Sequence, residues 1–317
     1  MAQISQSDFY GGYHLVDLQR GILTIAHTQP RYAKEAVALA RSIRLRDPHV
    51  PLAVATNLSA DLFNGMFDIV IPSDFTQWSG MLSKLMAYDL SPFDQTLLVD
   101  TDCFALESVS RAFDALSGAE LGVFGANKVE TNWQLYTLDV VRRLWPSDTY
   151  PIFNGGIYYF RKLHVAAEVF RLAKEMSTQY DELRMRRLNG LMSEEPLMSV
   201  AMARMGLFAS DDEVDVVIGI APFSRLGIGG DIDVLSGRGS VQWNGRRVRP
   251  VFMHFSGIKS TWLPYCREAA RLDAYYRAPR PSALMQQWIV ARAMFDWVRP
   301  RIHRAVRRRI RWIDRPG

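Results

Sequence analysis

Disulfide chemistry is nearly absent from this chain: its 317 residues include two cysteines, Cys103 and Cys266. That is too few for a cross-linked scaffold and fits a reducing compartment, with Cys103 most simply a small apolar residue. No uninterrupted apolar run reaches 18 residues, so no spanning helix is expected. The opening stretch "MAQISQSDFYGGYHLVDLQR" lacks a basic segment followed by an apolar one, so no signal peptide is expected either. Internal repeats are missing. Lysine is missing from the last fifty residues: Arg267 to Gly317 holds 13 Arg and 4 acids, a net of +9. Taking that +9 from the chain's +5 leaves residues 1–266 at −4. The basic character belongs to the tail.

What is present is core material, at 48% hydrophobic and 22% charged residues, enough for one large domain with appendages. "RGILTIAHT" reads as a buried strand. "PRYAKEAVALARSIRLRD" follows with near-helical apolar spacing and Pro30 at its start. "VPLAVATN" and "FDIVIPS" read as further strands, "SGMLSKLMAYDLSPF" as a helix stopped at Pro92, and "QTLLVD" as a fourth strand. Strands are expected at "LGVFGA" and "GGIYYF", with an aromatic-rich wall, "TNWQLYTLDVVRRLWPSDTYPIFN", between them. A helix that breaks near Ser177, a helix at "EEPLMSVAMARMG" and a late strand at "VFMHFSG" complete the body. This alternation predicts an α/β fold with a mostly parallel central sheet flanked by helices.

The fourth strand ends in "TLLVDTDCFAL". Asp100 and Asp102, two residues apart, project to one side of the chain at the carboxyl end of a strand, where open α/β sheets place their ligands. Two like charges there call for a proton or a cation between them, and a hard divalent cation takes such oxygen ligands. The plainer alternative is that Asp100 caps a turn and Asp102 opens the next element.

In context, "KLMAYDLSPFDQTLLVDTDCFAL" resembles the metal-binding segment of GT-A glycosyltransferases, which use nucleotide-diphosphate sugars. "FNGGIYYFRK" resembles their Asn-Gly/Ser-Gly strand, most of all that of family-8-type retaining enzymes. "SEEPLMSVAMARMGL" resembles their acidic helix start, and "MHFSGIKSTW" their C-terminal His-Gly-Lys-Trp loop. The match spans roughly residues 21–265, which implies a GT-A catalytic domain there. Residues 1–20 then form an N-terminal extension and residues 266–317 a basic helical appendage.

The resemblance implies a metal set of Asp100, Asp102 and His254, for Mn²⁺ with Mg²⁺ as a substitute. It implies donor contacts from Lys84, from Gly257 and Lys259 in the late loop, and from Asp100 itself. Ala26, Thr28 and Tyr32 are placed around the nucleotide base, where His27 departs from the acidic or polar residue expected. Asn154, Gly155 and Gly156 would floor the transferred sugar, and Glu194 and Glu195 would lie near the anomeric carbon, Glu195 being the acid that would assist. Each has a plainer reading: Lys84 as a surface lysine, His254 as a strand residue, the glycines as a bulge, and the two glutamates as first-turn acids of a helix.

The function implied is transfer of a hexose from a UDP-sugar to a glycan or lipid-linked acceptor, with retention. The alternatives are a sugar-nucleotide-forming nucleotidyltransferase and a degenerate transferase acting as a scaffold. The former would want a glycine-rich loop after the first strand, and "AHTQPRYAKEA" has no glycine. The tail mixes Trp288, Phe295, Trp297 and Trp312 with arginines at helical spacing. It therefore reads as a segment for an anionic membrane surface, not for nucleic acid, in a cytoplasmic protein peripheral to the membrane.

Overall fold

A computed structural model of the chain describes residues 19–63, 65–78, 80–128, 141–143, 145–188, 190–210, 218–220, 232–243, 245–277, 285 and 287–295. Residues 131–140 and 144 of the expected aromatic wall and most of the tail lie outside these residues.

The central sheet begins with β1 (Arg20–Ile25), followed by α1 (Pro30–Arg44), β2 (Leu52–Thr56) and β3 (Ile69–Pro72). Pro30 opens α1, where a missing N–H costs nothing, and Arg41 and Arg44 sit at its negative end. Next come α2 (Ala87–Leu90), β4 (Gln95–Val99), β5 (Cys103–Ala105), α3 (Ser110–Ala115), β6 (Leu121–Gly122) and β7 (Gly125–Lys128). The second half supplies β8 (Tyr150–Phe153), β9 (Ile157–Arg161), α4 (His164–Ser177), α5 (Glu194–Arg204) and β10 (Ile218–Ile220). Two short hairpins, β11 (Ile232–Asp233) with β12 (Arg238–Gly239) and β13 (Val241–Trp243) with β14 (Arg246–Val248), precede β15 (Phe252–His254) and α6 (Leu263–Arg277).

The main sheet runs β3-β2-β1-β4-β9-β6. Its first four strands are parallel, β9 runs antiparallel beside β4, and the edge strand β6 pairs antiparallel with β9 and so returns to the common direction. Period-two alternation divides the core. Leu23, Leu98 and Phe160 face α4 and α5 with Phe170 and Leu197, while Ile22, Leu97 and Val99 face α1 with Leu39 and Ile43. Covering both faces is what allows near-continuous apolar strands.

Three differences from the sequence reading have physical causes. The segment expected as one helix before Pro92 is a 3-10 turn, Gly80–Met86, running into the four-residue α2. Gly80 enters it at φ 61°, and Ser83 Oγ donates back to Gly80 O at 2.8 Å, both of which favour a tight turn. The expected strand "LGVFGA" divides into β6 and β7, which pair with different partners. Finally, α6 starts before the expected 265/266 boundary and packs on α1, with Arg41 Nη1 donating to Asp273 Oδ1 at 2.7 Å and Tyr276 OH to Arg41 O at 3.0 Å. Among the described residues, no helix is long and apolar enough to cross a membrane.

Candidate active site

The second sheet, β10-β15-β5, assembles the site. Chain leaving β4 makes the turn Asp100–Thr101–Asp102 and re-enters as β5, which pairs antiparallel with β15 so that Cys103 lies opposite His254. Backbone bonds pin the turn on both sides. Asp100 N donates to Gly156 O at 2.9 Å, and Phe255 N donates to Asp102 O at 3.0 Å. Backbone pairing alone therefore delivers a histidine from late in the chain to the two aspartates.

His254 is buried. Its Nε2 lies 3.1 Å from Asp102 Oδ1 and 3.7 Å from Asp100 Oδ2. Its Nδ1 lies 2.6 Å from Asn154 Oδ1. That Asn oxygen also accepts the Gly156 N–H at 3.1 Å, which identifies it as an acceptor. Nδ1 must then carry a hydrogen, and Nε2 is left to the carboxylates. Burial alone would lower the imidazole's pKa, but Asp102 and Asp100 outweigh it and raise it. The two carboxylates and the oriented Nε2 form a mixed oxygen and nitrogen donor set that fits a divalent cation. Ligand atoms of Asp102, Cys103 and His254 also fall within 4.8 Å of one another. The Cys103 thiol is held protonated by burial, well above its ordinary pKa.

This geometry predicts the effect of removing the orienting oxygen. Asn154→Leu should lower Mn²⁺ affinity by about 10- to 100-fold, the scale for losing a group that orients a metal-binding histidine. Asn154→Asp, which keeps an acceptor, should bind nearly as wild type. Electron paramagnetic resonance of free Mn²⁺ measures both, and equal affinity in all three proteins would refute the assignment.

Lys84 lies behind Asp100. Its ammonium donates to Asp100 Oδ2, Glu194 Oε1 and Gly155 O, each at 2.8 Å. All three hydrogens are thereby used on protein, where the resemblance implies a donor contact. Burial opposes the charge, but Asp100 and Glu194 more than compensate and raise its pKa. Glu194 is also buried, with Tyr158 OH donating to its Oε1 at 3.3 Å.

Glu195 is the more accessible of the two acids. Its Oε1 accepts the Gly155 N–H at 2.6 Å, and burial, reinforced by Glu194, pushes its pKa up to about 7. The helix cap itself is Ser193, whose side chain accepts from Glu195 N, and both glutamates stand in the first turn of α5, as the plainer reading expects. Gly155 is tightly enclosed: a Cβ there would lie 2.6 Å from Glu194 Oε1 and 2.8 Å from Tyr158 OH, so a side chain would force these groups to shift.

At the end of β1, Ala26 is fully buried, and the His27 ring stacks on Phe75 at 4.5 Å and on Tyr32 at 6.5 Å. His27 Nε2 lies 3.4 Å from Gly80 O, which can only accept, so Nδ1 accepts from Thr28 Oγ1 at 2.6 Å. Burial lowers the pKa of this ring. Both ring nitrogens are occupied, and the ring serves as a wall. Thr28 takes a left-handed backbone, φ 70°, with its N–H on Asn57 Oδ1 at 2.8 Å. Lys259 sits in the 3-10 turn Gly257–Thr261, entered through Gly257 at φ 70°. Its Nζ is 5.9 Å from the centroid of the Trp262 ring, and burial lowers its pKa.

Asp100, Asp102, His254, Asn154, Gly155, Gly156, Lys84, Glu194 and Glu195 thus form one contiguous set. Ala26, Thr28 and Tyr32 lie at the neighbouring strand end, and Gly257 and Lys259 on the turn after β15. Sequence reading missed Phe75, Asn57, Tyr158 and Glu35. Only Glu35 left a signal, an acid beside Ala33, Ala36 and Val37 on the buried side of α1.

No protein-family model matches the chain, and no curated protein matches it by sequence. Solved structures do. The galactosyltransferase LgtC, in complex with donor and acceptor sugar analogues, superposes with a TM-score of 0.52 at 15% identity, over 83% of this chain and 98% of that one. The fold is that of the GT-A glycosyltransferases. The bifunctional glycosyltransferase WbbM aligns with a TM-score of 0.50 at 12% identity, over 89% of this chain and 53% of its own. The residues above converge on the carboxyl end of β4 and the segment around β15.

Proposed function

We propose that the chain is a glycosyltransferase that moves a hexose from a UDP-sugar to a glycan or lipid-linked acceptor, with retention and with Mn²⁺ as the preferred cation and Mg²⁺ as a substitute. One observation carries this reading. An aspartate pair and an oriented imidazole lie beside Gly155, Gly156 and Glu195, in a fold also found in a galactosyltransferase that was solved in complex with donor and acceptor sugar analogues.

Asp100, Asp102 and His254 would hold the cation, which when bound supplies Lewis-acid neutralisation of a departing diphosphate. The remaining work falls to the chain's own groups. Gly155 and Gly156 let a sugar ring approach the backbone. The Asn154 carbonyl is committed to His254 and Gly156, which leaves its NH₂ as the group available for a sugar hydroxyl. Glu195, with a pKa near 7, can accept or donate a proton beside the anomeric carbon near neutrality. Lys259 would stabilise charge growing on the diphosphate.

Donor hydrolysis across a panel of nucleotide sugars, with Mn²⁺ and with chelator, tests the reading; no turnover of any donor together with no UDP binding would sink it. Lys259→Ala should cut transfer by about 10- to 1,000-fold, the range for removing one charge-stabilising group. A loss below about twofold would show that Lys259 does not act on the diphosphate.

The tail is proposed to attach the protein to the cytoplasmic face of an anionic membrane. Residues 287–295 are helical, and they expose Trp288 and Phe295 while burying Ile289 and Ala293. Residues 281–317 carry 9 Arg against 2 Asp, and each arginine near such a surface adds about 1 kcal/mol, screened by salt. Deleting 281–317 should release the protein from anionic vesicles in a flotation assay and spare donor hydrolysis. Failure of the full chain to bind vesicles at low salt would remove the membrane role.

A further inference from the structure

Glu194 opens α5 with its side chain turned into the protein. Its Oε1 meets the Lys84 ammonium at 2.8 Å and accepts from Tyr158 OH at 3.3 Å. Gly155 packs against the same oxygen, since a Cβ there would lie 2.6 Å from it. Its Oε2 is buried too, with no hydrogen-bond partner among the described residues. The resemblance implies a group near the anomeric carbon, yet this carboxylate is closed off from solvent.

What Glu194 reaches is the cation site, through Lys84. The same ammonium meets Asp100 Oδ2 at 2.8 Å, so two carboxylates share one positive charge. Their settings differ: the Asp100 side chain is 23% exposed, that of Lys84 14% and that of Glu194 1%. With His254 as a neutral ligand, Asp100, Asp102 and Glu194 against Lys84 make three negative charges to one positive, a net of −2. One divalent cation neutralises that set. Without the Glu194 charge the net is −1, and the ammonium is left to Asp100, where it competes with a cation for one carboxylate. Other bonds hold the shape of the turn itself. Asp100 N donates to Gly156 O at 2.9 Å, and Thr101 Oγ1 donates to the buried Glu35 Oε2 at 3.2 Å. The shared ammonium is therefore the link from Glu194 to the aspartates.

We propose that Glu194 is a positioning residue for the cation site: it draws the Lys84 ammonium away from Asp100 and so sets how tightly Asp100, Asp102 and His254 hold a divalent cation. The inference rests on the cation reading above. It gives the two neighbouring acids separate tasks, Glu194 acting inside the protein on Lys84 and Glu195 acting toward the sugar.

The test uses the full chain as wild type, Glu194→Gln, Glu195→Gln and the Lys84→Met/Glu194→Gln double variant, with no donor present. Electron paramagnetic resonance of free Mn²⁺ gives the affinity of each. Glu194→Gln should bind Mn²⁺ about tenfold more weakly, the scale of one hydrogen bond to a charged group. Glu195→Gln removes an acid from the same helix turn, but one that accepts from the Gly155 N–H, and it should bind nearly as wild type. The double variant loses the competing ammonium and returns the set to −2, so it should also bind as wild type.

Wild-type affinity in Glu194→Gln, an equal loss in Glu195→Gln, or a double variant as weak as Glu194→Gln would each overturn the proposal. Should the double variant not fold, the comparison of Glu194→Gln with Glu195→Gln decides. If wild type holds no Mn²⁺, the cation reading falls, while urea unfolding of Asp100→Asn, Glu194→Gln and their double variant still decides whether Glu194 acts on Asp100 through Lys84. A shared ammonium makes the double loss larger than the sum of the single losses, and additive losses overturn the link.

Discussion

Asp102→Asn should abolish Mn²⁺-dependent donor turnover and leave the protein folded. The Asp102 side chain is 16% exposed and meets His254 Nε2 at 3.1 Å, so its loss removes a charged group from the rim of the proposed cation site. The turn itself survives, because its bond to Phe255 runs through the Asp102 backbone carbonyl. Removing one of two facing carboxylates also relieves repulsion that Lys84 and His254 otherwise offset. Thermal unfolding should therefore stay within about 1 kcal/mol of wild type, as for changes outside the core, while turnover across a Mn²⁺ titration falls to background. Normal turnover with normal metal dependence would end the cation assignment.

Lys84→Met should do the opposite, damaging stability first. The ammonium lies between Asp100, Glu194 and the Gly155 carbonyl with a 14% exposed side chain. Deleting it strands two carboxylates, one of them on a residue that is 1% exposed. Breaking a buried pair by removing one partner costs about 3–5 kcal/mol. Urea unfolding with matched slopes would measure it. A lysine that served only to bind donor would give normal unfolding with weakened donor affinity, and that outcome would show that its three protein contacts are incidental.

The parts legible in the sequence were those where a pattern and a structure share a period. The apolar runs of β1, β2 and β4, the amphipathic α1, and the break of α4 at Ser177 follow local rules, and they fixed the parallel sheet. Asp100 and Asp102 could be read because a strand end puts i and i+2 on one side. The partnerships could not be read in the same way. That Asn154 holds His254, or that Lys84 is spent on Asp100 and Glu194, depends on side-chain directions set by tertiary packing, and no spacing encodes them. Glu35 was overlooked for a related reason. An isolated acid in a helix is ordinarily a solvated one, whereas Glu35 sits among the buried residues of α1. The 3-10 turn before α2 was misread because its apolar spacing suits a helix while Gly80 and Ser83 tighten it.

The antiparallel pairing of β5 with β15 has a consequence in time. Cys103 and His254 are neighbours only through that ladder, so the carboxylate pair gains its imidazole after most of the chain has been synthesised. At roughly 5–20 residues per second, the aspartates would wait on the order of ten seconds for it on the ribosome. Pairings of such long sequence separation are also the slow ones to form. A cation that binds only the closed set would then act on the yield of the protein as well as on its rate, adding about 2.7 kcal/mol to native stability at a hundredfold excess over its Kd. Refolding with Mn²⁺ should therefore yield more native protein than refolding without it.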